Sequence, residues 1–390
     1  MSRIQGRTIW DESCITDRTK TRIEDPCLVR FRDWWYCAVK ESPSHNPHPL
    51  SRGRIIRSRD GERWESVRTL EWDGGSMAAG LCVTAEGALM ASTGVYFVSK
   101  EPRADLSGWK KGDAPLKQPP ARRPGDDPNA MLTTGFRYYQ LEPIGTTLNL
   151  APDDLELNVA HQFMTWLSPD GEHWSSAHAC PNMINTQPFR ITWHNGMGYV
   201  IGQWGKEPNG GTLYRTRDGR GWRALKPGLL PEGHGGEGAL AFAPDGTAWC
   251  LLRGDSTTQA FIGRGKAPYY QDWEWKRPLA DYGPKHGGMQ PVEKVLRYGL
   301  AGPSLARLSD GRWLGMGRAM GPERDDGYAT LFLVDPERAT LTMVAEFDGS
   351  SYPSFVEHDG MIWAAFIGSA WQRDVWEVRL AGIPLPDKRS

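Results

Sequence analysis

Apolar and polar positions along the chain repeat one unit: an apolar run, a two-residue turn, and a second apolar run rich in Trp or Ala. It occurs as CLVRFRDWWYCAV (27–39), LCVTAEGALMAS (81–92), FRITWHNGMGYVIGQ (189–203), LAFAPDGTAWCLLR (240–253), LARLSDGRWLGMGR (305–318) and FVEHDGMIWAAFIG (355–368). The turns carry Arg32-Asp33, Glu86-Gly87, Asn195-Gly196, Asp245-Gly246, Asp310-Gly311 and Asp359-Gly360. Asn-Gly and Asp-Gly supply the positive φ angles of tight hairpins, so the pattern predicts six hairpins.

A second pattern interleaves with the first. Ser58 to Trp64, Ser168 to Trp174 and Thr216 to Trp222 all read S/T-x-D-G-x-x-W, and Asp272-Trp273-Glu274-Trp275 is a degenerate fourth. In such a segment the carboxylate accepts backbone N–H bonds inside the turn while the indole packs back over it. A hairpin followed by this turn makes a four-stranded antiparallel unit. The hairpin turns recur about 50–65 residues apart wherever no insertion intervenes, a blade-like period. The expectation is all-β: a six-bladed β-propeller of four-stranded antiparallel blades, with 1–390 as a single domain. Insertions are expected at about 100–160, which is Pro-rich and charged, and at about 280–298. Thr8–Trp10 is expected to close the ring against the last blade.

Composition narrows the partners. Lys+Arg 46 against Asp+Glu 47 leave a net charge of -1, which supplies no global basic field for nucleic acid. No apolar run approaches the ~20 residues of a membrane span. The opening MSRIQGRTIWDESC lacks the apolar core of a secretion signal, so the expected location is cytoplasmic. The six cysteines are scattered without a CxxC pair, which fits buried free thiols.

Candidate chemistry gathers on a few charged residues. In GHGGEGALAFAPDGTAWCLLRGD (233–255), a hairpin returns Glu237 and Arg253 to the same end of two adjacent strands. Either a structural ion pair or the start of a site for a charged, hydroxyl-rich ligand satisfies that geometry. Arg190 occupies an inner-strand position, where a charge lines a central pocket or pairs with a neighbouring blade. His45 and His48 are spaced H-x-x-H, but Asn46-Pro47 forbids a regular helix and no third ligand is fixed, so neither metal nor cofactor is expected. His45 alone suits acid/base work near neutral pH. Trp34, Trp35, Trp204 and Trp371 are the indoles considered as sugar platforms.

These residues carry a resemblance. The S/T-x-D-G-x-x-W turns are similar to the Asp boxes (BNR repeats) of sialidase-like six-bladed β-propellers, and the blade number agrees. Arg22-Ile23-Glu24-Asp25-Pro26 resembles the Arg-Ile-Pro segment whose arginine is the first of a carboxylate-binding triad, although two residues separate Ile23 from Pro26. Glu237 through Arg253 resembles the family's Glu motif and second triad arginine, and Ser351-Tyr352-Pro353-Ser354 resembles its Tyr-Ser nucleophile segment. WHNG, KAPYYQDWEWK and SYPSFVEHDG resemble bacterial proteins loosely labelled exo-sialidases. The family's aspartate acid/base has no counterpart in the loop Lys40 to His48, where His45 falls instead. The third arginine is Arg318, with Arg324 as the alternative.

The resemblance implies an exo-acting glycoside hydrolase on a terminal acidic sugar, with a saccharide as its partner. Tyr352, Glu237 and His45 would be catalytic, and Arg22, Arg190, Arg253 and Arg318 would bind substrate. A lyase acting on uronate-containing glycans through His and Tyr, and a non-catalytic glycan- or protein-binding propeller, are the alternatives that fold alone does not separate.

Overall fold

The computed structural model describes residues 3–15, 22–42, 51–70, 79–99, 140–141, 146–147, 158–184, 186–203, 211–231, 237–254, 260–282, 288–292, 300–319, 327–368 and 376–386. His45, His48, Trp204, Trp371, Arg324 and most of 100–160 lie outside them.

The six hairpins are the inner strand pairs of six antiparallel blades arranged as a propeller. Blade 1 runs Arg22–Phe31, Trp34–Ser42, Arg52–Ser58 and Glu65–Leu70. Blade 2 uses Gly80–Val83, Leu89–Ser99, Asn158–Ser168 and His178–Ile184, so the 100–160 segment connects its second and third strands. In blade 3 the innermost strand is split into Gln187–Pro188 and Thr192–His194, followed by Met197–Gln203, Thr212–Thr216 and Trp222–Pro227. Blade 4 comprises Gly238–Phe242, Ala248–Leu252, Phe261–Gly265 and Trp273–Lys276. Blade 6 takes Gly349–His358, Met361–Gly368 and Val378–Pro384 from the C-terminal region, and Arg7–Trp10 supplies its outermost strand, closing the ring as expected. This pairing fastens the N-terminal segment to the last blade with backbone hydrogen bonds and so locks the ring.

Blade 5 departs from the four-stranded plan. To Leu300–Arg307, Trp313–Ala319, Tyr328–Asp335 and Thr340–Glu346 it adds Leu279–Asp281 and Met289–Pro291 from the second insertion. Leu279–Asp281 pairs parallel with Thr340–Glu346, burying Ala280 in the core between blades 4 and 5.

The hydrophobic core is partitioned between blades. One cluster joins Ile23, Cys37 and Ile56 to Ala365, Val378 and Leu380 across blades 1 and 6. Five more fill the successive junctions, for example Leu314, Met316 and Leu331 of blade 5 against Ile362, Ala364 and Phe366 of blade 6. Each blade is thus covered on both faces, which explains why its central strands are nearly continuously apolar.

The S/T-x-D-G-x-x-W segments link the third and fourth strands of blades 1, 2 and 3. In the first, Ser58 Oγ donates to Asp60 Oδ1 and accepts from Gly61 N, while Glu62 N and Arg63 N donate to Asp60 Oδ1 at 2.7 and 2.9 Å. Trp64 Nε1 closes the turn on Gly61 O at 3.0 Å. Thr216 to Trp222 repeats the set, with Trp222 Nε1 on Gly219 O at 3.1 Å. Ser168 to His173 repeats the carboxylate half. In blade 4 only the indole half survives: Trp273 Nε1 donates to Tyr270 O, and Tyr270, at φ +51°, stands where the others have glycine.

Candidate active site

In every blade the first strand begins, and the second ends, at the end of the propeller opposite the hairpin turns. Arg22 opens its strand, Glu237 precedes Gly238–Phe242, Arg253 follows Ala248–Leu252, Arg318 lies near the end of Trp313–Ala319, and Tyr352 lies near the start of Gly349–His358. Antiparallel pairing alone therefore sends five of the expected site residues to one mouth. Trp34 and Trp35 adjoin the Arg32-Asp33 turn at the other end, and Trp35 is packed into the core between blades 1 and 6, so neither is a platform in this site.

Glu237, Arg253 and Tyr352 meet directly. Tyr352 Oη donates to Glu237 Oε1 at 2.6 Å, Arg253 Nη1 donates to the same oxygen at 2.8 Å, and the same Nη1 lies 3.2 Å from Tyr352 Oη. The other carboxylate oxygen, Oε2, accepts from Gly302 N at 3.0 Å. Glu237 is 7% exposed, and charge-assisted bonds from three blades offset its burial. Desolvation, reinforced by the Glu237 charge, holds the Tyr352 phenol well above its ordinary pKa, so the resting hydroxyl is neutral.

Arg318 belongs to the same group. Its charge is coupled to those of Tyr352, Arg253, Glu237 and Asp25, and burial pushes its pKa down. Its Nε is buried with no hydrogen-bond partner among the described residues. A desolvated guanidinium in that state favours an incoming anion.

Arg22 is placed at the rim. It donates to Glu24 Oε1 through Nε at 3.1 Å and Nη2 at 2.9 Å, and its guanidinium lies 3.4 Å over the Trp376 ring. Glu24 also pairs with buried Lys40 at 3.4 Å. Arg190 is placed below Tyr352, where its donors go to backbone carbonyls of blades 5 and 6. His45 follows the end of Trp34–Ser42 in the chain and lies outside the described residues. Among the described residues no group of three His, Cys, Asp or Glu side chains could hold a metal ion.

Asp25 joins the site without having been singled out in the sequence. It is buried, its backbone is left-handed at φ +56°, and its charge acts on both Tyr352 and Arg318. The signal was the pair of extra residues between Ile23 and Pro26. They form a bulge, since the pairing register of Arg22–Phe31 shifts between Glu24 and Cys27. Gly302 in blade 5 and Tyr352 in blade 6 repeat this feature, each left-handed and each followed by proline (φ +59° and +42°). A Cβ on Gly302 would stand 2.7 Å from Tyr352 Cδ1 and 2.8 Å from its Cα, so only glycine leaves room for the tyrosine.

Solved structures share this architecture. The fold is that of a sialidase-like six-bladed propeller. A Dyadobacter fermentans protein of unknown function matches over 99% of both chains with a TM-score of 0.64 and 14% identity. The NanB sialidase of Streptococcus pneumoniae matches 97% of this chain and 70% of its own, with a TM-score of 0.61 and 14% identity. An alpha-L-arabinanase of Penicillium chrysogenum matches 98% of this chain and 99% of its own, with a TM-score of 0.57 and 11% identity. At these identities the likeness is one of fold, and the fold is shared by glycoside hydrolases with different substrates. No protein-family model and no curated protein matches the chain.

Proposed function

We propose that this propeller is an exo-acting glycoside hydrolase for a terminal acidic sugar, a sialidase-like activity in which the S/T-x-D-G-x-x-W turns are Asp boxes. The observation that carries the reading is Tyr352 Oη at 2.6 Å from Glu237 Oε1, with Arg253 on both groups; Arg318, whose Nε has no partner among the described residues, interacts electrostatically with all three. A phenol held neutral at rest becomes a nucleophile when Glu237 takes its proton as substrate enters. A nucleophile that stays uncharged until its proton is taken suits an anomeric centre that carries its own carboxylate, the exception to paired-carboxylate glycosidases.

Arg253 and Arg318 would hold the substrate carboxylate, with Arg22 at the rim. A planar fork binds carboxylate better than an ammonium does. Attack by Tyr352 Oη forms the tyrosyl–sugar bond while the glycosidic bond breaks and the leaving oxygen takes a proton. Asp25, a buried carboxyl carried by the blade 1 bulge, is taken as that proton donor. Water then cleaves the tyrosyl–sugar bond with Asp25 as base. His45, the candidate from the sequence, competes for this role.

The test is a panel of chromogenic glycosides of sialic acids, uronic acids and neutral arabinofuranose, with uronate oligosaccharides alongside. Wild type should release the aglycone from an acidic glycoside, and Tyr352→Phe and Glu237→Gln should each lose at least ~10²-fold in kcat. Asp25→Asn and His45→Ala should be compared on substrates with good and poor leaving groups. The true acid is the one whose variant fails mainly on the poor leaving group. Turnover of neutral arabinosides alone, or of nothing, would remove the acidic-sugar reading. An ultraviolet-absorbing unsaturated product from uronate oligosaccharides would reassign the site to elimination.

A further inference from the structure

Tyr352 stands in a conformation that a tyrosine does not adopt unaided. Its φ is +42°, it precedes Pro353, and the pairing of its strand is broken between Ser350 and Ser354. A broken ladder leaves carbonyls that need donors from elsewhere. Arg190 supplies them from blade 3, which is three blades away around the ring. Its Nη2 donates to Tyr352 O at 3.2 Å and Pro353 O at 2.9 Å, its Nε donates to Pro303 O at 2.9 Å, and its Nη1 lies 3.8 Å from Cys27 Sγ. One guanidinium therefore reaches all three proline-containing bulges, in blades 1, 5 and 6. The adjoining Phe189 packs edge-on against the Tyr352 ring, with centroids 6.0 Å apart.

We propose that Arg190 is a positioning residue for Tyr352: it holds the carbonyls of Tyr352 and Pro353, and so keeps the left-handed backbone that aims the phenol at Glu237. The kinetic consequence rests on the proposed role of Tyr352 as nucleophile, whereas the geometric claim does not. Lysine would not replace it, because an ammonium on a flexible stem lacks the rigid fork that serves Pro303 and the Tyr352-Pro353 carbonyls together. The competing view is that Arg190 only ties blades together. That view predicts a loss of stability without a change at the phenol.

The phenol can be watched directly in protein carrying tyrosine labelled with carbon-13 at Cζ, through the resonance that disappears in Tyr352→Phe. Arg190→Lys and Arg190→Gln are made, and those whose circular dichroism matches wild type are examined. The proposal expects this resonance to move toward the position of a solvent-exposed tyrosine and, with a working substrate, kcat to fall on the order of 10²-fold with KM little changed. Added guanidinium should restore part of the rate to Arg190→Gln. A folded Arg190→Lys with an unmoved resonance would overturn the proposal, whether or not any substrate is turned over. A moved resonance in a protein inert toward every glycoside would support the positioning claim while removing the hydrolase reading.

Discussion

The Tyr352 hydroxyl lies 2.6 Å from a carboxylate oxygen of Glu237, a residue 115 positions earlier in the chain and two blades away. Neither residue reaches the other through its own hairpin. Gly302 of the intervening blade donates its N–H to Glu237 and leaves the space that Tyr352 fills. The pair is therefore a product of three consecutive blades packing at one mouth.

This placement has an alkaline signature. The Tyr352 pKa is raised in the folded protein by burial and by Glu237, so the folded state keeps the phenol proton more firmly than the unfolded chain. The resulting stability is complete below the ordinary phenol value of about 10 and is lost as pH rises from there toward the folded value. The melting temperature of wild type should fall more steeply above about pH 10 than that of Tyr352→Phe. Tyr270, which burial pushes up to about 12, contributes equally to both proteins and cancels in the comparison. Parallel curves would mean that Tyr352 is not held as described.

Gly302→Ala tests the space beside the tyrosine. The new methyl meets Tyr352 at 2.7–2.8 Å, and the backbone there has φ +59°. A loss of about 1–3 kcal/mol in urea unfolding is expected, from overpacking and the strained backbone. On a working substrate the activity should fall more than stability alone explains, because the displaced group is the proposed nucleophile. Unchanged unfolding and kinetics would contradict the contact.

Acid should weaken the turns. Backbone bonds from Arg63 and Glu62, then the Ser58 hydroxyl, hold Asp60 down to about 2. Its contribution is present above the unfolded value of about 4 and disappears as pH falls through about 2. Asp60→Asn should start less stable at neutral pH and show a shallower loss of melting temperature between about pH 4 and 2. An equally steep acid limb in both proteins would place the acid sensitivity elsewhere.

Thiol reactivity should sort by burial. Cys14 is exposed, whereas Cys37 and Cys250 are buried and desolvation raises their pKa. Desolvation pushes Cys82 and Cys180 up to about 12. A disulfide reagent at pH 8 should modify Cys14 rapidly in the native protein and these four only on unfolding, because the thiolate is the reactive form. Fast native modification of any of the four, located by peptide mapping, would be inconsistent with this packing.

The apolar pattern by itself determined the six inner hairpins and the number of blades, because a strand covered on both faces must be apolar throughout and its tight turn needs residues that accept positive φ. Local side-chain geometry determined the turn around Asp60, whose bonds stay within a few residues. The same reasoning brought Glu237 and Arg253 together, since they flank one hairpin. What no local pattern carries is contact between blades. The direction of Arg190, the electrostatic reach of Asp25 to Tyr352 and Arg318, and the need for glycine at 302 all follow from blades packing around the ring. Each is a relation between residues far apart in sequence, and only the packed ring sets their distances. Tyr352 shows both sides: its segment was legible as a motif, but its left-handed backbone and its grip on Glu237 come from neighbours that the chain reaches only after folding around the axis.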